Sequence, residues 1–301
     1  MKVVTFFNEK GGSAKSTFST LFASWLQYEN GINTAVVDID NRIARDRKIQ
    51  ERYWPEASAG NKWDIFDINS DYLKKLNQKY HLSIKRYADW FKTFAMTGQF
   101  KKYDIMIIDF PGSMDDFMDF FNEELLSLII VPVDRDPHIL TTTIRLGRFL
   151  KLKDIPCVGF INKAQSFGSL KIYEDIKDVH RKHSGLKILP DMVSFSERVN
   201  KSMTEDTPPQ TIIRSTLSYP DWSNKAFEGA GDLGIDNLLK DIAKELVKCK
   251  DLSGTRASEL NFKVSLEKTF HERRQLKNTD FPEYEFDETY YKNKKAPAKA
   301  D

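Results

Sequence analysis

Phe6-Phe7-Asn8-Glu9-Lys10-Gly11-Gly12-Ser13-Ala14-Lys15-Ser16-Thr17 is the stretch on which the reading of this 301-residue chain turns. It follows a short apolar run, Val3 to Phe7, and opens a helical pattern, Ser16 to Tyr28. A strand, a glycine-rich turn and a helix in that order make a cradle for phosphate. Glycines let backbone N–H groups converge on phosphate oxygens, and the helix N-terminus adds a favourable dipole. Lys15 is placed to reach the β- and γ-phosphates of a nucleotide, and the Ser16 hydroxyl to ligate magnesium. The bland alternative is a glycine turn with a solvated Lys15.

Outward from the loop, further apolar runs stand at Thr34 to Val37, Ile105 to Ile108, Leu128 to Val131 and Val158 to Ile161. Each is nearly continuous in apolar character, as strands buried on both faces are. Between them the spacing predicts helices at Asp71 to Tyr80, Ser83 to Phe94, Asp115 to Leu126, Ile139 to Leu152 and Leu170 to His183. Alternation of this kind implies βαβ crossovers and an α/β fold: a doubly wound, mostly parallel sheet flanked by helices. A last helix, Ile235 to Val247, carries apolar residues at helical spacing and is expected to close the fold. The division expected is a domain over residues 1–250 and a charged tail over 251–301, with one further helix near Glu259 to Lys277.

Bulk composition agrees with a globular protein. Apolar residues are 40% of the chain, charged residues 30%, and there are 21 Phe, which excludes disordered and fibrous classes. A net charge of +2 permits a basic face for nucleic acid without requiring one. Cys157 and Cys249 stand far apart in no metal-ligand spacing, so a disulfide framework or zinc site is not expected. The opening MKVVTFFNEK has too short an apolar run for a signal peptide core, and no stretch approaches the roughly 20 apolar residues that span a bilayer. A cytoplasmic protein without a membrane partner is expected.

Two more segments complete the chemistry. Asp38-Ile39-Asp40-Asn41-Arg42 follows a strand, at the edge where open α/β sheets bind ligands, although Asp40 and Asn41 would also cap a following helix. Asp109, in Tyr103 to Gly112, sits directly after an apolar strand, as a magnesium-holding Walker B carboxylate does. Asn162, after Val158 to Ile161, reads equally as a turn residue or a base contact.

Lys10-Gly11-Gly12-Ser13-Ala14-Lys15-Ser16-Thr17 resembles the KGGxGK[ST] loop of the deviant Walker P-loop ATPases, the family holding ParA, MinD, the nitrogenase iron protein and the arsenical-pump ATPases. Lys10 falls on that family's signature lysine. The resemblance covers roughly residues 1–250 and is specific over the first 165. It implies ATP and Mg2+ as ligands, bound by Lys10, Gly11, Gly12, Ser13, Ala14, Lys15, Ser16 and Thr17, with Ser16, Asp38 and Asp109 about the metal. It implies catalysis through Lys10, Lys15 and Asp40: Lys10 acts in trans across a nucleotide-bound homodimer, and Asp40 activates water. It implies Asn162 at the adenine, and Phe110-Pro111-Gly112 as a γ-phosphate-sensing switch II. Ala14 departs from the family's glycine, and its Cβ is expected to strain the loop or crowd the phosphates, as a tolerated variant or a sign of slow hydrolysis.

Among the branches, the resemblance to ParA is the one followed. It implies partition or positioning of a plasmid, chromosome or mobile element, a ParB-like activator, and sequence-blind binding of DNA through basic residues. Arg145, Arg148, Lys151 and Lys153 form one basic cluster, and Arg198, Lys201 and Arg214 a second. Neither a terminal amphipathic helix nor cluster-ligating cysteines are present, which sets aside the MinD and iron-protein branches. Two other classes stay open. One is a bacterial tyrosine kinase that modifies Tyr284, Tyr290 and Tyr291 in its tail; the other is a module that binds ATP without hydrolysing it.

Overall fold

In the computed structural model, residues 1–40, 63–96, 98–112, 114–134, 136–151, 155–164, 170–194 and 235–252 are described. They form seven strands: β1 (Lys2–Phe6), β2 (Thr34–Asp38), β3 (Asp64–Asp67), β4 (Ile105–Asp109), β5 (Leu128–Val133), β6 (Cys157–Ala164) and β7 (Lys187–Ser194). The helices are α1 (Lys15–Ser24), α2 (Ser70–Tyr80), α3 (Tyr87–Met96), α4 (Met114–Asn122), α5 (Pro137–Leu150), α6 (Leu170–His183) and α7 (Ile235–Lys248). All neighbouring strands run parallel, in the order β3-β2-β4-β1-β5-β6-β7. The expected α/β architecture is thus present, and the sheet is wholly rather than mostly parallel.

Strict alternation along the central strands divides their side chains between two cores. Val3, Val37, Met106, Ile108, Ile129 and Val131 pack with α2 to α6 on one face. Val4, Phe6, Val36, Ile107, Ile130 and Phe160 pack with α1 and α7 on the other. Because β1 pairs with β4 on one side and β5 on the other, the loop after β1 opens where the winding reverses, at the ligand-binding edge of such sheets.

Several boundaries differ from expectation. β3 is four half-buried residues at one sheet edge, and β7 contains Pro190 and register shifts against β6 at the other, so neither has the apolar run that marks a central strand. The helix expected over Ser83 to Phe94 begins at Tyr87. The helix expected over Asp115 to Leu126 stops at Asn122, and Glu124 takes a positive φ of 55°. α1 continues as a π turn, Trp25–Glu29.

At the opposite edge of the sheet, residues after α7 clasp the chain's start. Asp251 pairs with the Met1 amino group at 3.5 Å and with Lys2 Nζ at 3.6 Å, and Leu252 N–H donates to the Met1 carbonyl. The tail beyond residue 252, with its expected helix and Tyr284, Tyr290 and Tyr291, lies outside the described residues. Among the described residues no helix is long and apolar enough to cross a membrane.

Candidate functional site

The loop between β1 and α1 turns on two left-handed residues. Gly12 has φ 74°, as the motif anticipates, but Ala14 also sits at φ 66°, ψ 26°, a region that costs an L-residue roughly 1–2 kcal/mol. The strain expected of Ala14 is therefore located: its Cβ is carried in a conformation that glycine adopts freely. A Cβ built on Gly11 or Gly12 meets nothing within 4 Å, so there is open space beside both glycines. Phe18 N–H is bonded to the Ala14 carbonyl, so the N–H groups of the first helical turn have no acceptor inside the helix.

Lys15 is 7% exposed and folds back over the loop. Its Nζ donates to the Asn8 carbonyl at 3.1 Å and the Lys10 carbonyl at 3.3 Å. Gly112, in the segment after β4, closes this arrangement from the far side: a Cβ there would lie 3.3 Å from the Glu9 carbonyl and 3.8 Å from Lys15 Nζ. Lys10 is exposed, Ser13 is buried with its hydroxyl unpartnered among the described residues, and Ser16 and Thr17 are half-buried.

Asp38 and Asp109 end adjacent parallel strands in direct register, and both are fully buried. Asp109 accepts from Ser19 Oγ at 3.2 Å, and the nearby Ser16 hydroxyl also favours its charged form. Burial pushes its carboxyl up to about 7, the charges of Asp38 and Asp40 push the same way, and the two serine hydroxyls oppose them. Its Oδ2 has no hydrogen-bond partner among the described residues. Two buried carboxylates with an adjacent hydroxyl fit a hard, oxygen-preferring cation such as Mg2+, which takes one or two carboxylates and otherwise water and phosphate. Asp40 is half-buried at the end of the described segment, and Asn41 and Arg42 lie outside it.

Asn162 is 5% exposed near the end of β6, and its amide lies 3.4 Å from the Ser13 carbonyl. It thus lies against the loop. Arg145, Arg148 and Lys151 are exposed along and just beyond α5, with Arg148 Nε donating to the His183 carbonyl at 2.6 Å. Lys153, Arg198, Lys201 and Arg214 fall outside the described residues. Asn8 and Ser19 also belong to the arrangement about the loop. Ser19 stands one helical turn after Lys15 and so could have been found from spacing; Asn8 emerges only from its contacts, with Pro132 on β5 and with Lys10 and Lys15.

Residues 2–136 match the family described as ATPase MipZ. Among solved structures, the chain is similar to the MinD cell division protein of Aquifex aeolicus, at 13% identity and TM-score 0.54, over 81% of this chain and 98% of that one. It is also similar to a protein described as a plasmid partition protein from Borrelia burgdorferi B31, bound to AMPPNP, at 17% identity and TM-score 0.51, over 82% and 98%. At these identities the likeness is one of fold. The comparison with curated proteins finds no match.

Proposed function

We propose, from the premise that the chain is a deviant Walker P-loop protein of the ParA/MinD type, that it is an ATP-dependent dimerisation switch which partitions or positions a cargo. The observation that carries this reading is the meeting of Lys15, Gly112 and the Asp38–Asp109 pair around one open loop.

Amides of Gly11 to Thr17 receive the phosphates of ATP, and Lys15 exchanges its two loop carbonyls for β- and γ-phosphate oxygens. Ser16, Asp38 and Asp109 would hold Mg2+, which when bound offsets phosphate charge. Asn162 contacts adenine. Asp40 orients a water whose oxygen attacks the γ-phosphorus as the bond to the bridging oxygen breaks, giving ADP, inorganic phosphate and a proton. Lys10 neutralises charge developing on the nucleotide of a second copy, so closure of the homodimer and readiness for hydrolysis coincide. A ParB-like activator stimulates turnover. The dimer binds duplex DNA without sequence preference through exposed cations such as Arg145, Arg148 and Lys151. The protein acts in the cytoplasm, on the nucleoid where it holds DNA.

The test is ATP hydrolysis by wild type and Lys15→Ala, with and without non-specific duplex DNA, at low and moderate salt. Slow turnover that DNA raises and Lys15→Ala abolishes supports the switch. Binding of ATP with no turnover above the Lys15→Ala background sinks the hydrolytic mechanism. It would favour a locked binding module, for which the left-handed Ala14 supplies a cause.

A further inference from the structure

Asn8 is 1% exposed and stands two residues before Lys10. The β1–β5 ladder runs on past β1 proper, with Phe7 N–H donating to the Ile130 carbonyl at 2.9 Å. The next rung of a parallel ladder would join Glu9 N–H to the Pro132 carbonyl. That carbonyl is instead taken by the Asn8 side-chain amide, Nδ2 to O 2.8 Å. The strand therefore stops pairing through its backbone at this residue, and the chain is released into the loop.

The other half of the same amide acts forward. Asn8 Oδ1 accepts from Lys10 N–H at 3.0 Å, an Asx turn that fixes the direction in which the backbone leaves the sheet. The Asn8 carbonyl accepts from Lys15 Nζ at 3.1 Å. One residue thus ties the loop to β5, to the backbone of Lys10 and to the ammonium of Lys15. This needs a donor and an acceptor on one short side chain, which an asparagine amide has and a carboxylate lacks.

We propose that Asn8 is a positioning residue that ends β1 and sets the backbone from which Lys10 projects toward a second copy of the chain. The proposal rests on the trans role of Lys10 given above. Asn8 touches no reacting atom; it acts through Lys10.

The experiment is a double-mutant cycle on the full chain, using Asn8→Ala, Lys10→Ala and the pair, with Mg-ATP-dependent dimerisation followed by sedimentation. Each single variant is expected to weaken dimerisation by roughly tenfold, with the pair no weaker than Lys10→Ala alone. Binding of a fluorescent ATP analogue to monomeric Asn8→Ala is expected to stay within about threefold of wild type. Losses that add in the pair would overturn the proposal, because Asn8 would then act on the fold and not through Lys10. A Lys10→Ala variant that dimerises like wild type would instead remove the trans premise, and the proposal with it. If Asn8→Ala does not fold, the same cycle with Asn8→Gln, which keeps both amide groups one methylene out of place, is expected to show the same non-additivity, and additivity there overturns the proposal equally.

Discussion

Asp38 and Asp109 face each other across adjacent parallel strands, fully buried at the carboxyl edge of the sheet and beside the N-terminal end of α1. Two carboxylates so placed repel one another and are costly to desolvate, and the cation site proposed above would offset both costs.

From this follows a trade of stability against activity. Asp109→Asn keeps a group that can meet the Ser16 and Ser19 hydroxyls while removing one buried charge. In nucleotide-free buffer with EDTA it is expected to be more stable than wild type by about 1–3 kcal/mol in urea denaturation, while Mg-dependent ATP turnover is lost. A midpoint at or below that of wild type would show that the pair carries no repulsion.

Ala14 offers a second test. Ala14→Gly removes the left-handed penalty but loosens the unfolded chain, so a net gain of about 0–1 kcal/mol is expected. Ala14→Val puts a β-branched side chain at φ 66° and is expected to cost more than about 1 kcal/mol. Thermal midpoints of the three proteins decide this. Faster ATP turnover in Ala14→Gly would assign slow hydrolysis to the Cβ; equal turnover would make alanine a tolerated variant.

Phe117 on α4 stacks on Phe7 with ring centroids 3.8 Å apart and meets Phe110 edge-on at 5.8 Å. It joins the strand before the phosphate loop to the segment that places Gly112. Phe117→Ala is expected to cost about 3–5 kcal/mol, and Phe117→Leu less, by urea denaturation. At equal fraction folded, the Leu variant is expected to bind ATP more weakly than wild type. Unaltered binding would show that the ring only fills the core.

His180 on α6 is fully buried, and burial lowers its imidazole to about 4 from the ordinary 6.5. Its Nδ1 meets Ser184 Oγ at 3.0 Å. Between those two pH values the unfolded chain binds a proton that the folded chain refuses, so stability falls as pH drops through the window. Wild type is expected to lose thermal stability from pH 6.5 to pH 4.5 more steeply than His180→Gln. Parallel curves would mean that this histidine is free to charge in the folded state.

What the chain's own order of residues determined is local. A strand, glycines, a lysine and a helix within a dozen residues point to a phosphate loop without help from elsewhere, and Asp109 after an apolar run points to its companion carboxylate. The continuous apolar runs of β1, β2, β4, β5 and β6 state a parallel sheet, because a strand covered on both faces needs no polar alternation. The edge strands escaped this logic: β3 is half-buried and β7 holds a proline, so neither carries the burial that makes a strand visible. Tertiary structure alone decided the contacts between distant parts of the chain. Asn8 reaches Pro132, Ser19 reaches Asp109, Gly112 comes to rest on Glu9 and Lys15, and Asp38 finds Asp109 opposite it. These depend on strand order and register, which are set by how two cores pack on one sheet and are written in no single window of sequence.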